Sequence, residues 1–335
     1  MGTIVNQSGV AMSVGLRRLA KVVASMLLAA AATAAWAQVY PVRPIRIAVP
    51  LPPGGSNDLL ARIIAERLQL AFGQPVIVEN KPGGAGNIAT EFVARQPADG
   101  YSLLFTSSAH AVNPSFFVKL PYDPIKDFEP IVLAGAVPFV LTVNASSPIR
   151  TVKEFIAHAK AMPGMTYGTA GIGAPHHLAA ELMKSMTDIN IVHIPYKGAS
   201  GIVPALLSNE ISFTIGAINS LLPHYKTGKL RAIAVAGQAR TALLPDIPTI
   251  GDTLSGYVVE TWNGVLAPAG TPRAIIDRLN AEINRILADP VVVNDRLAPV
   301  GIEPLGSTPE RFAEVIRIDI GRYAKIARDA RIKPE

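Results

Sequence analysis

The sequence has no cysteine and few aromatic residues: none of its 335 residues is Cys, and Phe, Trp and Tyr together make up 6%. The absence of cysteine excludes disulfide bridges, thiol nucleophiles and metal sites built on thiolates. The rest is an ordinary globular composition, 49% hydrophobic and 17% charged. A chain of this length and composition can bury a large core, and we expect two lobes.

Long apolar runs are scarce after the first 37 residues, and those residues are typical of a signal peptide. Arg17, Arg18 and Lys21 form a basic region, VVASMLLAAAATAAW forms a short apolar core, and Ala35-Trp36-Ala37 fits the small-x-small cleavage pattern. The apolar core is shorter than the roughly 20 residues of a spanning helix, although an uncleaved anchor remains open as an alternative. We expect cleavage near Ala37 and export to a Gram-negative periplasm.

The excess of positive charge is small. Residues 1–37 carry three positive charges and no negative one, so their removal lowers the formal net charge from +6 to +3. Such a balance, without basic clusters, does not favour nucleic acid as a partner. It is compatible with a small anionic ligand.

Strand-like and helix-like segments alternate along the mature chain. IRIAV (Ile45–Val49) precedes a helix from about Asp58, VIV (Val76–Val78) precedes a helix through Ile88–Arg95, and YSLLF (Tyr101–Phe105) runs into TSSAH. This alternation predicts parallel strands in an α/β fold.

Two long apolar connectors, near 131–144 and 258–267, divide the chain. They predict two α/β lobes joined by two crossing strands, with the C-terminal helices returning to lobe 1. We assign 38–140 and 261–335 to lobe 1, and 141–260 to lobe 2. Ligands of open α/β sheets bind beyond the carboxyl ends of the strands, so we expect the site in the cleft between the lobes.

Three helix starts carry local signals. Thr151-Val-Lys-Glu154 predicts a capping box that opens a helix to about Ala161. Thr271-Pro272 predicts the N-cap and first position of a helix to about Leu287, and Thr308-Pro309 predicts the start of the last helix.

Two glycine-rich turns raise the question of a nucleotide. PPGGSND lacks the lysine and the spacing of a phosphate-binding loop. Gly84-Ala-Gly86-Asn-Ile-Ala89 satisfies G-x-G-x-x-A, but the next strand ends Leu104-Phe105-Thr106-Ser107 without the carboxylate that would hold a ribose. We interpret Gly84 and Gly86 as residues for tight helix–sheet packing, and we expect no cofactor.

Nucleophilic catalysis has weak support. The sequence contains no G-x-S-x-G, so it has no nucleophile elbow. Serines just before helices are usually caps, although a triad assembled in space stays open as an alternative. The residues that could contribute are Ser107, Ser108, Ser200, His110, His177 and His193.

The histidines do not form a metal-binding pattern. His176 and His177 are adjacent, so on a helix they point about 100° apart and cannot face one ion. His193 lies in the apolar stretch IVHIPY, where a core or cleft-edge histidine is the simpler interpretation. We expect no metal site.

Helix starts preceded by small residues are the pattern that recurs. Each presents unpaired N–H groups and about half a positive charge to an acid, without any lysine or arginine. Two such starts facing each other across a cleft would suit a carboxylate. They lie at Gly54–Asn57 and Ser107-Ser108 in lobe 1 and at Gly171–Ala174 and Lys197–Ser200 in lobe 2.

An ordered set of motifs resembles the Bug-type solute receptors of tripartite tricarboxylate transporters. The resemblance covers essentially the whole mature chain. The motifs are YPVRPIRIAVPLPPGGSNDLLAR, VIVENKPGGAGNIATEFVARQPADGYSLLF, GIGAPHHLAAEL, VHIPYKGAS, GKLRAIAV, LPDIPTI and WNGVLAPAGTP, in the order of the family. The resemblance implies a type II-like Venus-flytrap periplasmic binding protein that closes on a small carboxylate and presents it to a membrane permease.

The resemblance also implies ligand-binding residues in both lobes. The segments matching Leu51–Asp58 and Thr106–His110 hold one end of the ligand, and Gly171–His177 and Tyr196–Ala199 belong to lobe 2. Asp58 matches the aspartate at the start of the family's first helix, where, besides capping, it would repel or orient polar ligand groups. The alternative is that Asp58 is simply a first-turn acid favoured by the helix dipole. The residues so implied are Leu51, Pro52, Gly54, Gly55, Ser56, Asp58, Thr106, Ser107, Ser108, His110, Gly171, Gly173, Ala174, His177, Tyr196, Lys197, Gly198 and Ala199.

The chain departs from the family pattern at several of these positions. Leu51 stands where Phe or Tyr is common, Ala174 where a serine or threonine is common, and Thr214 and Gly216 replace a more usual acidic pattern. The usual C4 or C5 dicarboxylate ligand is therefore in doubt. A bulkier or less polar acid, an aromatic carboxylate included, would tolerate Leu51 and Ala174 better.

The function expected from the sequence is that of a monomeric, non-enzymatic periplasmic receptor. It would capture a small mono- or dicarboxylate and deliver it to the permease of a tripartite tricarboxylate-type transporter. A periplasmic co-receptor for a two-component sensor kinase needs the same closure and stays open as an alternative. A periplasmic hydrolase is the second alternative.

Overall fold

The computed structural model describes residues 40–329, 332 and 334. The predicted signal peptide, 1–37, lies outside these residues. The chain groups into two compact units, Met1–Val42 and Arg43–Glu335; the first is described only at 40–42, and every helix and strand below belongs to the second. Within the described part of the chain, no helix has the length and apolar character needed to cross a membrane.

The first sheet has six strands, in the order β11-β4-β10-β3-β1-β2. Strands β1, β2 and β3 run parallel, and β10 runs antiparallel to both β3 and β4. All seven residues of β10 are buried. The strands are β1 (Ile45–Val49), β2 (Val76–Asn80), β3 (Ser102–Ser107), β4 (Phe128–Ala136), β10 (Trp262–Pro268) and β11 (Glu303–Pro304).

The second sheet has five strands, in the order β7-β6-β8-β5-β9. Its strands β6, β7 and β8 run parallel, and β5 runs antiparallel to β8 and β9. These strands are β5 (Phe139–Asn144), β6 (Met165–Thr169), β7 (Ile191–Pro195), β8 (Phe213–Ala217) and β9 (Leu230–Val235).

Ten α-helices are described among these residues, and most of them follow a strand. They are α1 (Ser56–Phe72), α2 (Asn87–Ala94), α3 (Ala109–Val112), α4 (Val152–Ala161), α5 (Pro175–Thr187), α6 (Ala199–Leu207), α7 (Ile218–Lys226), α8 (Arg273–Leu287), α9 (Pro290–Val292) and α10 (Pro309–Asp329). Short 3₁₀ segments lie at Gly84–Gly86, Asn113–Ser115, Ile250–Asp252 and Ala298–Val300, and a π-helical turn lies at Val293–Leu297.

The chain passes between the sheets twice. On the first passage only Val137 and Pro138 separate β4 from β5. On the return the chain reaches β10 through Thr261, whose hydroxyl donates to the carbonyl oxygen of Val137 at 2.6 Å, while the Val137 N–H donates to the Thr261 carbonyl at 3.4 Å. The last helix, α10, packs against β4 and α3 of the first sheet. The predicted fold class, with two crossing strands and a returning C-terminal helix, is confirmed; the boundaries at 140 and 260 stay predictions.

Each sheet has its own buried cluster. Phe155, Tyr167 and Phe213 belong to the cluster of the second sheet, whereas Trp262 and Phe312 belong to that of the first. Gly264 of β10 allows α10 to approach closely, because a Cβ at this position would collide with the Phe312 ring. Helix α5 follows a strand of the second sheet, yet its Leu178 is buried in the cluster of the first sheet.

Two of the predicted helix starts differ in detail. Thr151 caps α4 by accepting from the Glu154 N–H at 3.1 Å, but the Glu154 carboxylate takes the N–H of Arg150, one residue before the cap, so the reciprocal bond of a capping box is not made to Thr151. Thr271 is not the N-cap of α8: Pro272 is, and the Thr271 hydroxyl donates to Pro268 instead. Thr308 does cap α10, since its hydroxyl accepts from the Arg311 N–H at 3.2 Å.

Candidate ligand-binding site

A cleft with about 540 Å³ of empty space, part of it open solvent, lies between the carboxyl ends of strands from both sheets. This is where ligands of α/β sheets bind. None of the residues described along its wall is Asp, Glu, Lys or Arg. The lining comprises Pro50, Leu51, Ser56, Asn57, Ala85, Ser107, Ala109, Val137, Phe139, Ala170, Ala174, Pro175, His176, Ala217, Thr261, Trp262 and Asn263.

The structure brings part of the expected site together. Leu51, Ser56, Ser107 and Ala174 line this cavity. A second cavity shares Leu51 with it and adds four further expected residues, Pro52, Gly171, Tyr196 and Lys197. The remaining expected residues line neither cavity; they are Gly54, Gly55, Asp58, Thr106, Ser108, His110, Gly173, His177, Gly198 and Ala199.

Three helices of eight residues or more begin at the wall of the first cavity. Helix α1 begins at Ser56, α5 begins at Pro175 after its N-cap Ala174, and α7 begins after its N-cap Ala217. The first N–H groups of a helix have no acceptor within the helix, and the macrodipole adds partial positive charge there. The sequence carries no signal for the start of α7, because Ala217-Ile218 contains no polar capping residue.

Asn57 and Asn263 form a buried pair in the cavity wall that the sequence analysis also missed. Their relative exposures are 2% and 3%, and the Asn263 Nδ2 donates to the Asn57 Oδ1 at 2.5 Å. The Asn57 Nδ2 is buried and has no hydrogen-bond partner among the described residues. In the sequence, Asn263 is marked only as one of the polar residues within the apolar connector near 258–267.

Asp58 holds the loop before α1. Its carboxylate accepts from the Gly54 N–H at 3.1 Å, from Arg62 Nε at 3.0 Å and from Asn80 Nδ2 at 2.9 Å. Asn80 also donates to the carbonyl oxygen of Leu51 at 2.9 Å, so the network fixes both ends of the turn. Burial raises the pKa of Asp58, but the hydrogen bonds from Arg62, Asn80 and Gly54 outweigh it, and the pKa is lowered overall. These contacts make Asp58 a positioning residue for Leu51.

The end of β3 and the residues just after it have buried polar groups. Thr106 and Ser108 are buried, and the Ser108 N–H donates to the Trp262 carbonyl at 3.0 Å. His110 is buried too: its Nε2–H donates to the Pro124 carbonyl at 2.8 Å, and the ring packs against Phe128. Burial lowers the pKa of His110 to about 4, so the ring is neutral. No hydrogen bond joins Ser107, Ser108 or Ser200 to a histidine in the described residues.

The two adjacent histidines of α5 have different neighbours, as their spacing predicts. His176 packs against Phe139 with ring centroids 4.6 Å apart, and burial lowers its pKa to about 4. His177 stacks on His193 at 4.2 Å and also contacts Phe116, which belongs to the cluster of the first sheet. Burial, assisted by the neighbouring His193, lowers the pKa of His177 to about 3. Nowhere in residues 40–329 do three or more potential metal ligands come together.

The remaining lobe-2 residues belong to two turns. Gly173 has φ +79°, and a Cβ there would lie 2.8 Å from the Asn113 Oδ1 of the first lobe, so only glycine fits this approach. Gly198 and Ala199 are the N-cap and first residue of α6, and the Tyr196 hydroxyl donates to Glu210 at 2.6 Å. The turn at Gly173 thus forms a contact between the lobes beside the cavity.

Comparison with known proteins places this geometry in a family. Residues 60–331 match the family described as tripartite tricarboxylate transporter family receptor. Protein BugT of Bordetella pertussis is 37% identical over 301 residues, 89% of this chain and 92% of that protein. The structure of Rpa4515 from R. palustris with adipate is 33% identical, with a TM-score of 0.85 over 88% of this chain and 100% of that one.

A second solved structure, MatC from Rhodopseudomonas palustris with bound malate, is 28% identical, with a TM-score of 0.82 over 86% of this chain and 100% of that one. The resemblance expected from the motifs is therefore confirmed. The chain belongs to the tripartite tricarboxylate transporter receptor family, as a Bug-type protein with the fold of the periplasmic binding proteins.

Proposed function

We propose that the protein is a periplasmic receptor that captures a small organic carboxylate in the cavity between its sheets and delivers it to a membrane transporter. The observation that carries the proposal is the convergence of the α1, α5 and α7 starts on a cavity whose described wall has no charged side chain. An anion there would be met by backbone N–H groups and helix dipoles. The adipate and malate named for the two similar structures are acids of the same class.

Closure of the lobes around the ligand is the proposed means of capture. The crossing strands meet at Val137 and Thr261, which also line the cavity, so a rotation there would change the width of the cleft. In the present conformation the lobes touch beside the cavity, where Gly173 and His177 contact the Asn113–Phe117 segment. Because both sides of the proposed site belong to one chain, ligand capture needs no second subunit. The protein would therefore act as a monomer.

Export and delivery complete the proposal. Residues 1–37 would direct the chain to the periplasm, with cleavage near Ala37. The permease partner comes from the family, whose description names a transporter receptor. A receptor role without turnover is supported by the candidate serines, none of which hydrogen-bonds to a histidine within the described chain.

The test begins with the protein purified from the periplasm. Native mass spectrometry followed by mild denaturation would release any bound ligand, and we expect a small organic acid, recovered unchanged. Deletion of the gene should then reduce uptake of that acid by intact cells. Recovery of a chemically altered acid would support a hydrolase, and loss of gene induction with normal uptake would support a sensor; either result would overturn the proposal.

A further inference from the structure

The two sides of the cavity differ in what they offer an acid. On the lobe-1 side, the start of α1 presents the N–H groups of Ser56–Asp58, and Asn57 adds a side-chain N–H. The Asn57 amide is 2% exposed, and its oxygen is held by Asn263, so its unpartnered Nδ2 is fixed in the cavity wall. A buried donor left without a partner costs free energy, and a ligand oxygen would remove that cost.

On the lobe-2 side some of the donors are absent or already used. Pro175, the first residue of α5, has no N–H. The Ala174 N–H donates to Gly171, the His177 N–H to Ala174, and the Ile218 N–H at the start of α7 to Pro138. The Ala174 side chain, at the N-cap of α5, carries no hydroxyl that could replace them.

Three large apolar side chains form much of the remaining wall. Phe139 and Trp262 are each 5% exposed and line the cavity together with Leu51. The indole N–H of Trp262 donates to Asp319 at 2.7 Å, so Trp262 offers the ligand only carbon. His176 adds no positive charge, because burial lowers its pKa to about 4.

We infer that the cavity selects an acid with a single carboxylate and an uncharged, apolar body, and that Asn57 donates to that carboxylate. The inference rests on the proposed function and names its substrate class. The carboxylate would lie at the α1 start, and the body would lie against Phe139, Trp262 and Leu51. A second carboxylate on the body would lose its water to a wall that is largely carbon and has no charged side chain to compensate it, which is costly.

Hexanoate and adipate test the inference directly, since both have six carbons and they differ by one carboxylate. A second pair, 3-phenylpropionate and malate, compares an apolar body with a short polar one. Binding of all four acids to the purified, ligand-stripped protein is measured by isothermal titration calorimetry. We expect hexanoate to bind at least about tenfold more tightly than adipate, the effect of leaving one charged group poorly solvated.

The outcomes separate the inference from the proposed function. If adipate or malate binds more tightly than both monocarboxylates, the inference is overturned while carboxylate capture stands. If none of the four acids binds, the proposed function is contradicted together with the inference. If a monocarboxylate binds most tightly, both are supported.

Two variants test the roles of Asn57 and Ala174. Asn57→Asp keeps the oxygen that Asn263 requires but replaces the free donor with an acceptor, so hexanoate affinity should fall at least about tenfold; Asn294→Asp, on an exposed residue, is the matched control. Ala174→Ser adds a hydroxyl to lobe 2 and should reduce the preference for hexanoate over adipate several-fold. Unchanged hexanoate binding by a folded Asn57→Asp protein would show that Asn57 does not donate to the ligand.

Discussion

The Thr261 hydroxyl donates to the Val137 carbonyl at 2.6 Å, where the two strands cross between the sheets. Both residues also line the cavity. The bond therefore couples the geometry of the crossing to the shape of the binding site. It is buried, since Thr261 is 8% exposed, and its loss would leave the Val137 carbonyl short of a donor.

Thr261→Val should weaken this crossing. Removal of one partner of a buried hydrogen bond costs about 1–3 kcal/mol, and we expect the free energy of unfolding in urea to fall by that amount. Thr253→Val, at an exposed position, is the control and should change the free energy of unfolding by less than about 0.5 kcal/mol. Equal stability of the two variants would show that the bond at the crossing contributes little.

Asp58→Asn should loosen the loop that carries Leu51. The variant keeps the shape but weakens the bonds from Gly54, Arg62 and Asn80, so we expect lower stability at neutral pH and weaker binding of hexanoate and adipate alike. A parallel loss for both acids is the signature of a positioning residue. Loss for adipate alone would instead indicate direct contact with the ligand.

The same variant has a pH dependence whose sign follows from the lowered pKa of Asp58. A carboxyl whose folded pKa lies below its unfolded value stabilises the fold above the unfolded pKa, near 3.8, and loses that contribution as pH falls through the folded pKa. The difference in stability between wild type and Asp58→Asn should therefore shrink below about pH 4. Urea unfolding of both proteins between pH 3 and 7 measures this difference in stability. A difference that stays constant over this range would contradict the lowered pKa of Asp58.

His110 should make the protein less stable in mild acid. Burial lowers its pKa to about 4 from an unfolded value of 6.5, so the unfolded chain takes up a proton first as pH falls. Stability is unaffected above pH 6.5 and decreases between about pH 6.5 and 4, by about 2–3 kcal/mol from this group. His110→Phe, although it loses the bond to Pro124, should flatten that part of the stability profile; an unchanged slope would refute the prediction.

Gly173→Ala should hinder the approach of the lobes. A Cβ there would meet Asn113 Oδ1 at 2.8 Å, so the closed contact cannot form without a shift, and acid affinity should fall at least about tenfold. Gly164→Ala is a matched control, because Gly164 also has positive φ, +94°, but nothing lies within 4 Å of its Cβ position. Both variants bear similar backbone strain, and small-angle scattering with excess hexanoate should show the difference in closure. Equal affinity of the two would exclude a role for this contact.

The features that the sequence predicted are local ones. The fold class follows from alternating strand and helix segments, and the starts of α1 and α5 follow from small residues before apolar periodicity. The Asn57–Asn263 bond joins residues 206 positions apart, so neither position could indicate the other. The start of α7 carries no capping residue and depends on Pro138, in a different connection, for its first N–H bond.

Two further residues show how tertiary contacts override local signals. Thr271 has the chemistry of an N-cap, yet its hydroxyl turns back to Pro268, and α8 begins one residue later than expected. His110 follows two serines in a predicted binding turn, yet the aromatic side chains of Tyr122 and Phe128 draw it into the core. The sequence could not indicate either partner, because Tyr122 and Phe128 follow His110 only after the end of α3 and the 3₁₀ segment Asn113–Ser115.

The position of β10 between β3 and β4 constrains the order in which the protein can assemble. The second sheet is built from one continuous stretch, residues 139–235, whereas the first cannot close until residues 262–268 have arrived. During synthesis, the edges of β3 and β4 that β10 will occupy therefore remain unpaired until β10 is made. Unpaired strand edges are prone to pairing with the wrong partner.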